Sequence, residues 1–206
     1  MPPTFQSATP GMAPEASALI YLTMGRMADY LFGADDPQRA LVCLERLFRE
    51  KSNRFSHRYS DAVIDSGEIA GLAVTYSGRT MRSLELPMAL RLADVLGLPG
   101  FFRFLRRASP LVTAREAESD EYFISNLAVR PELQGRGLGR FMLEQIEARA
   151  VRQGFRKLSL TVDVENERAF SLYERTGFQR IETVEIRRLR ERLGYAGYHR
   201  MVKPLA

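Results

Sequence analysis

Three glycines two residues apart, Gly135, Gly137 and Gly139, stand between an apolar run and a helical pattern in LAVRPELQGRGLGRFML (127–143). A strand, a glycine-rich turn and a helix start together make an anion site. The first N–H groups of a helix have no partner within it, and its dipole is positive at that end. Glycine lets the backbone approach a ligand closely and adopt positive φ. Phosphate is the usual guest, and Arg136 and Arg140 add charge. Two familiar phosphate loops are excluded: no GxxxxGK[ST] exists in the chain, and the spacing G-x-G-x-G is not the G-x-G-x-x-G of dinucleotide sites. A bare βα turn is the plain alternative, but three alternate glycines cost backbone entropy that a turn alone would not favour.

A second stretch, NERAFSLYERTGF (166–178), brings Asn166, Ala169, Tyr173 and the pair Gly177-Phe178 together at helical spacing. By itself Tyr173 reads equally as a packed helix aromatic bonded through its hydroxyl.

The elements that must position these residues follow from periodicity. Residues 16–31 place Leu19, Ile20, Met24, Met27 and Leu31 at helical spacing. Asp36 offers an N-cap with Pro37 at the first helical position, and the helix to about residue 50 buries Leu41, Leu44, Leu47 and Phe48. Residues 57–65 and 68–76 read as a hairpin turning at Ser66-Gly67. Residues 79–110 read as two short amphipathic helices around Gly97 to Gly100. A buried strand follows at 121–129, then the glycine loop, a helix over 139–153 stopped by Gly154, a strand at 157–164, a helix over 167–176 capped by Asn166, and strands at 178–186 and 195–205. The order is ααββ, insertion, βαβαββ: an α+β or α/β chain with a mixed central sheet flanked by helices. A single domain over 1–206 is expected, with 1–14 a flexible lead-in and 79–110 a helical insertion.

Composition narrows the function classes. The 206 residues are 45% hydrophobic and 27% charged, enough to bury a core. No apolar run spans a bilayer and no leader pattern opens the chain. One cysteine and two histidines argue against a disulfide and a zinc site. The expected compartment is a reducing cytoplasm. The net charge of +5 is densest in 79–110, with six basic and two acidic side chains. No RNA-binding signature, zinc finger or heptad array accompanies it, so nucleic acid is not an expected partner.

The loop is specific in a further way. Gln134-x-x-Gly137-x-Gly139 after a strand ending LAV resembles the acetyl-CoA loop of the GNAT superfamily of N-acetyltransferases, [QR]-x-x-G-x-[GA]. The stretch 166–178 resembles that family's N-x-x-A-x-x-x-Y-x-x-x-G-F segment, 27 residues on from Gly139. The resemblance covers about 121–186 well, 16–78 in element order only, and 79–110 not at all. It implies transfer of an acetyl group from acetyl-CoA, as co-substrate, to a primary amine of a small molecule or peptide by direct attack. It also implies roles. Leu127, Ala128 and Val129 meet the pantetheine through the backbone, with the Leu127 N–H as oxyanion donor. The amides of Gln134, Gly135, Arg136, Gly137, Leu138, Gly139 and Arg140 hold the pyrophosphate. Asn166, Ala169 and Tyr173 flank the cofactor arm, with Tyr173 the general acid for the leaving thiolate.

The base is where the pattern thins. Relatives often place a glutamate on the central strand. Here alternation puts Glu121, Phe123 and Ser125 on one face. Glu121, by default a solvated side chain at the strand's outer end, and Ser125, with Asn126, are the candidates to take a proton or orient a water. His57, Tyr59 and Tyr76 are other candidate donors, in the hairpin itself. The insertion reads as a substrate lid, a homodimer face, a membrane-surface helix or a plain packed hairpin with solvated arginines. A membrane is not an expected partner. The rival from another class is a non-catalytic coenzyme A sensor of the same fold.

Overall fold

The computed structural model describes residues 2–111 and 116–205. Seven strands form one mixed sheet in the order β1-β2-β3-β4-β5-β7-β6. They are β1 (Thr4–Ser7), β2 (Ser60–Asp65), β3 (Glu68–Ser77), β4 (Tyr122–Val129), β5 (Lys157–Asp163), β6 (Gln179–Glu185) and β7 (Gly197–Pro204). All pairings are antiparallel except β4 with β5.

The helices are α1 (Ala13–Met24), α2 (Arg26–Ala28), α3 (Pro37–Arg49), α4 (Gly78–Ser83), α5 (Glu85–Ala108), α6 (Leu138–Arg152), α7 (Glu167–Arg175) and α8 (Arg187–Leu193). Their apolar stripes divide between the faces of the sheet. On one face α1, α3, α5 and α8 pack over Leu72, Val74, Tyr76, Phe123, Ala128 and Tyr198. On the other, α6 and α7 pack over Ala73, Tyr122, Ile124, Leu158 and Leu160.

Local chemistry explains the elements. The Asp36 side chain accepts from the Gln38 and Arg39 amides, with Pro37 opening α3 as its fixed φ favours. Ser66 and Gly67 both take positive φ, 52° and 86°, which is what a two-residue hairpin turn requires. The insertion is a long helix broken at Gly97, whose φ of 67° no helix can hold.

Four expectations change. The lead-in expected over 1–14, whose first residue lies outside the described ones, instead contributes β1, paired from Thr4–Ile64 to Ser7–Asp61. The helix expected over 16–31 ends at Gly25, with φ 51°, and resumes as α2 and a π-helical turn, Asp29–Gly33. His57 lies in a 3-10 turn before β2, its Nδ1 against the Phe48 carbonyl at 3.0 Å. Between the last two strands the chain forms α8, which an arginine-rich segment concealed.

Candidate active site

β4 and β5 run side by side through only three residue pairs, Tyr122–Leu158, Phe123–Ser159 and Ile124–Leu160. Beyond them the strands part, and the far end of β5 pairs with β7 alone. The cause lies in β4. Val74 faces Asn126 while Thr75 faces Ile124, so Ser125 is an extra residue, a β-bulge, which bends a strand and sharpens its twist.

The bulge reverses the alternation. Tyr122 and Ile124, then Leu127 and Val129, face α6. Phe123 and Ala128 face α1, and Asn126 donates to the Thr23 hydroxyl of α1 at 2.7 Å. With the alternation broken at Ser125, parity no longer assigns that residue a face, and Asn126 is the residue that joins Phe123 on the α1 side. The expectation for Glu121 is corrected. It is buried at 2% exposure, and one carboxylate oxygen pairs with Arg200 while the other accepts from the Glu118 amide at 2.9 Å. Both of its oxygens are engaged, so it is a structural ion pair rather than a solvated side chain or an available base.

The open edge of β4 presents its backbone to the cleft. The Arg130 N–H donates to the Ala70 carbonyl of β3 at 2.9 Å. Successive residues of a strand turn their polar groups to opposite sides, so Asn126 and Ala128 also face β3 while Leu127 and Val129 face the gap left by β5. The Val129 carbonyl is met there by the Gln134 side-chain amide at 3.1 Å. The Leu127 N–H and carbonyl point into the same gap.

The glycine loop stands at the mouth of this cleft. Gly135 and Gly137 hold φ of 84° and 82°, which the glycines alone make easy. Gly137 is also the N-cap of α6, and no side chain caps it, so the first amides of that helix point outward from an exposed loop. Leu138 is buried beneath the loop, and Gly139 sits so close to Leu172 of α7 that a Cβ would lie 3.3 Å from its Cδ2. Arg140 is paired with Glu144 at 2.9 Å, and Arg136 is an exposed cation of the same loop.

α7 closes the other side. The Asn166 side-chain oxygen, Oδ1, caps it, accepting from the Ala169 amide at 3.1 Å. Arg168 donates to the Gln134 side-chain oxygen at 2.7 Å, so Gln134 ties the strand end to α7 across the cleft. Sequence reasoning missed Arg168, because a lone arginine in a first helical turn carries no signal of its own. Tyr173 is 8% exposed, meets the Phe178 ring edge-on at 5.8 Å, and shares one apolar cluster with Leu127, Val129, Leu138 and Ala169. Burial pushes its hydroxyl up to a pKa of about 12, so it keeps its proton at neutral pH. The structure thus brings together the strand end, the loop, Asn166, Ala169 and Tyr173, and leaves Glu121 outside the group. Among the described residues no cluster of metal-ligating side chains occurs.

Residues 27–178, about three quarters of the chain, match the acetyltransferase (GNAT) family. The chain belongs to the GNAT acetyltransferase family. Over 56 residues it is 41% identical to the mycothiol acetyltransferase of Jonesia denitrificans, which is 27% of this chain and 18% of that protein. Over 59 residues it is 42% identical to the [ribosomal protein bS18]-alanine N-acetyltransferase of Salmonella typhimurium, 29% of this chain and 40% of that one. These alignments span less than half the length of either relative. In fold, this GNAT chain is similar to a crystal structure described only as an acetyltransferase, with a TM-score of 0.73 and 22% identity over 98% of this chain and 100% of that one. It is also similar to an N-acetyltransferase from Staphylococcus aureus, with a TM-score of 0.71 and 20% identity over 97% of this chain and 99% of that one.

Proposed function

We propose that this GNAT chain is an acetyl-CoA-dependent N-acetyltransferase acting on a primary amine of a small molecule or peptide. The observation that carries the proposal is the parted seam of the sheet. An extended pantetheine can add to the open edge of β4 as a strand would, bonding Leu127 and Val129 through their backbones with Ala128 between them. Its pyrophosphate then reaches the outward amides from Gln134 to Arg140. Asn166 and Ala169 line the arm from α7.

The chemistry needs three things. The acetyl oxygen gains charge as the amine attacks, and the Leu127 N–H, fixed in the cleft, is aimed where that charge develops. The departing thiolate needs a proton, and Tyr173, kept protonated by burial, is the donor on the cofactor side. The amine must arrive neutral, which is the task of the opposite face.

The test is thiol release from acetyl-CoA against amino acids, polyamines, aminoglycosides, aryl amines and N-terminal peptides, with acetyl-CoA binding measured calorimetrically beside it. Turnover with one class establishes the activity and names its acceptor. Absence of acetyl-CoA binding overturns the proposal.

A further inference from the structure

With both Glu121 oxygens engaged, the proton-accepting group of the amine side must come from elsewhere. Residues 116–118 run across the α1 face just before β4. Ala117 is 2% exposed and packs in the same apolar cluster as Phe123, Tyr76 and Tyr198, which anchors the segment on that face. Next to it, the Glu116 carboxylate pairs with Arg54, whose Nε donates to the Tyr76 hydroxyl at 3.0 Å. The Tyr76 ring lies 6.1 Å from Phe123 and 5.8 Å, edge-on, from Tyr59. Burial alone would lower the pKa of Arg54, but the charge of Glu116 and the contact with Tyr76 outweigh it, so the guanidinium stays charged.

Tyr195, in the connection after α8, and Tyr198, in β7, complete the group. Tyr198 is 5% exposed, and its hydroxyl is buried with no hydrogen-bond partner among the described residues. Burial first, and then the charges of Glu116 and Glu182, hold it up at about 12 against the opposing charge of Arg200. Tyr195 is raised by burial first, and then by the charges of Asp163, Tyr198 and, last, Glu116. Tyr198 pairs with Asp163, three residues beyond the last β4–β5 rung, so it stands level with the parted seam. On the same face the Asn126 side-chain oxygen, Oδ1, is also buried without a partner among the described residues. A buried polar atom left unsatisfied is costly, and two on one face beside a carboxylate and the rings of Tyr59, Tyr76, Phe123, Tyr195 and Tyr198 make a place prepared for a donor-rich cation.

We propose that Glu116, with Tyr195 and Tyr198 beside it, receives the acceptor as its ammonium and takes the proton that the nitrogen must lose before attack. The assignment rests on the acetyltransferase reading above. An ammonium has three donors and no acceptor, which suits a carboxylate and the lone pairs of a tyrosine hydroxyl. Both Arg54 and Glu116 keep about a third of their side chains exposed, 28% and 33%, so a proton taken there has a way out to solvent. The neutral nitrogen forms its bond to the acetyl carbon, the carbon–sulfur bond breaks, and its electron pair leaves with sulfur. Of the two protons the nitrogen sheds, one leaves through Glu116 and the other passes to solvent, and Tyr173, which has protonated the thiolate, is reprotonated from solvent, so the protons balance.

The experiment is the pH profile of kcat/KM for Glu116→Gln and Glu116→Asp, using the best alkyl amine of the panel, with acetyl-CoA affinity and melting temperature measured on each variant. At neutral pH Glu116→Gln is expected to lose about 100-fold in kcat/KM, and to recover towards the parent as pH approaches the pKa of the free amine. Acetyl-CoA affinity stays within twofold, and Glu116→Asp keeps part of the rate. A uniform loss at every pH, or no loss, overturns the assignment of Glu116 while leaving the acetyltransferase reading standing. A parent protein that neither binds acetyl-CoA nor releases thiol overturns both. Should Glu116→Gln fail to fold, Tyr198→Phe reads the same face: a raised KM for the amine at unchanged acetyl-CoA affinity supports the site, and an unchanged KM overturns it.

Discussion

The two faces of the central sheet are built by different means. On the α6 face the candidate cofactor cleft is made largely of backbone: the open edge of β4, the amides of a glycine loop, the start of a helix. On the α1 face the polar groups are side chains drawn from distant parts of the chain, Arg54, Tyr76, Glu116, Asn126 and Tyr198. A backbone site constrains glycines and caps at fixed spacing, so it leaves a motif. A side-chain site can be assembled from any suitable residues that the fold brings together, so it leaves none. The first is suited to one shared cofactor and the second to an acceptor that differs from one family member to the next.

Substitutions can break or sharpen that contrast. The largest effect is expected from Gly137→Trp. It puts a bulky side chain at φ 82° in the loop and should abolish acetyl-CoA binding with the fold retained by circular dichroism. Unchanged affinity would remove the loop from the cofactor site. Next, Tyr173→Phe should lower kcat by about 100-fold with little change in acetyl-CoA affinity. Equal losses in both would give Tyr173 a packing role instead.

Glu121→Gln should act on stability rather than chemistry. It breaks a buried ion pair with Arg200, for about 3–5 kcal/mol, lowering the melting temperature by roughly 10 °C in a chain of this size. A large loss of turnover at unchanged stability would return Glu121 to the catalytic side. The pH dependence has a fixed sign. A raised tyrosine pKa favours the protonated form in the fold, so Tyr173 and Tyr198, both at about 12, contribute stability that is complete below pH 10 and disappears as pH rises towards 12. The same shift means that no loss of rate from Tyr173 ionisation should appear below pH ~11; a basic limb near pH 8 that Tyr173→Phe removes would contradict it. The smallest effect is expected from Arg168→Ala, which releases Gln134 from α7 and should weaken acetyl-CoA binding a few-fold, by about 1 kcal/mol, as seen by calorimetry.

How much of this was legible follows the same division. The glycine loop, the Asn166 cap, Tyr173 and the element order could be read from the chain, because caps, turns and apolar periods are local. The bulge could not. YFISNLAV has the look of a plain buried strand, and nothing in it marks Ser125 as the residue that breaks the alternation. Reading strict period two through it put Ser125 with Phe123, and missed Asn126 as the residue facing α1. Glu121 looked solvated because its partner Arg200 lies 79 residues away. Glu116 stands in a stretch without periodicity, and only tertiary contacts with Arg54 and Ala117's burial place it. α8 was concealed by four arginines among its seven residues, although Leu189 is buried and Gly194 closes it with φ 75°.

The insertion shows how such a tertiary arrangement is fastened. Arg107 of α5 donates to the Tyr30 carbonyl at 2.6 Å and to both Asp35 oxygens, at 3.0 and 2.6 Å, and its guanidinium lies 4.6 Å from the Tyr30 ring centre. Arg192 of α8 approaches the same ring at 5.0 Å. Ala34 and Asp35 hold φ of 57° and 72°, a strained pair that this clasp keeps in place.

The three-rung seam between β4 and β5 has a consequence for how the molecule holds together. The sheet is in effect two half-sheets, β1 to β4 and β5 to β6, stitched by a short ladder and by the helices above and below. A chain-like ligand lying in the gap would supply the missing rungs and make the ladder continuous. Occupancy would then register as mechanical closure of the protein itself, with the amides of Leu127 and Val129 passing from the fastest-exchanging of the central strand to among its slowest.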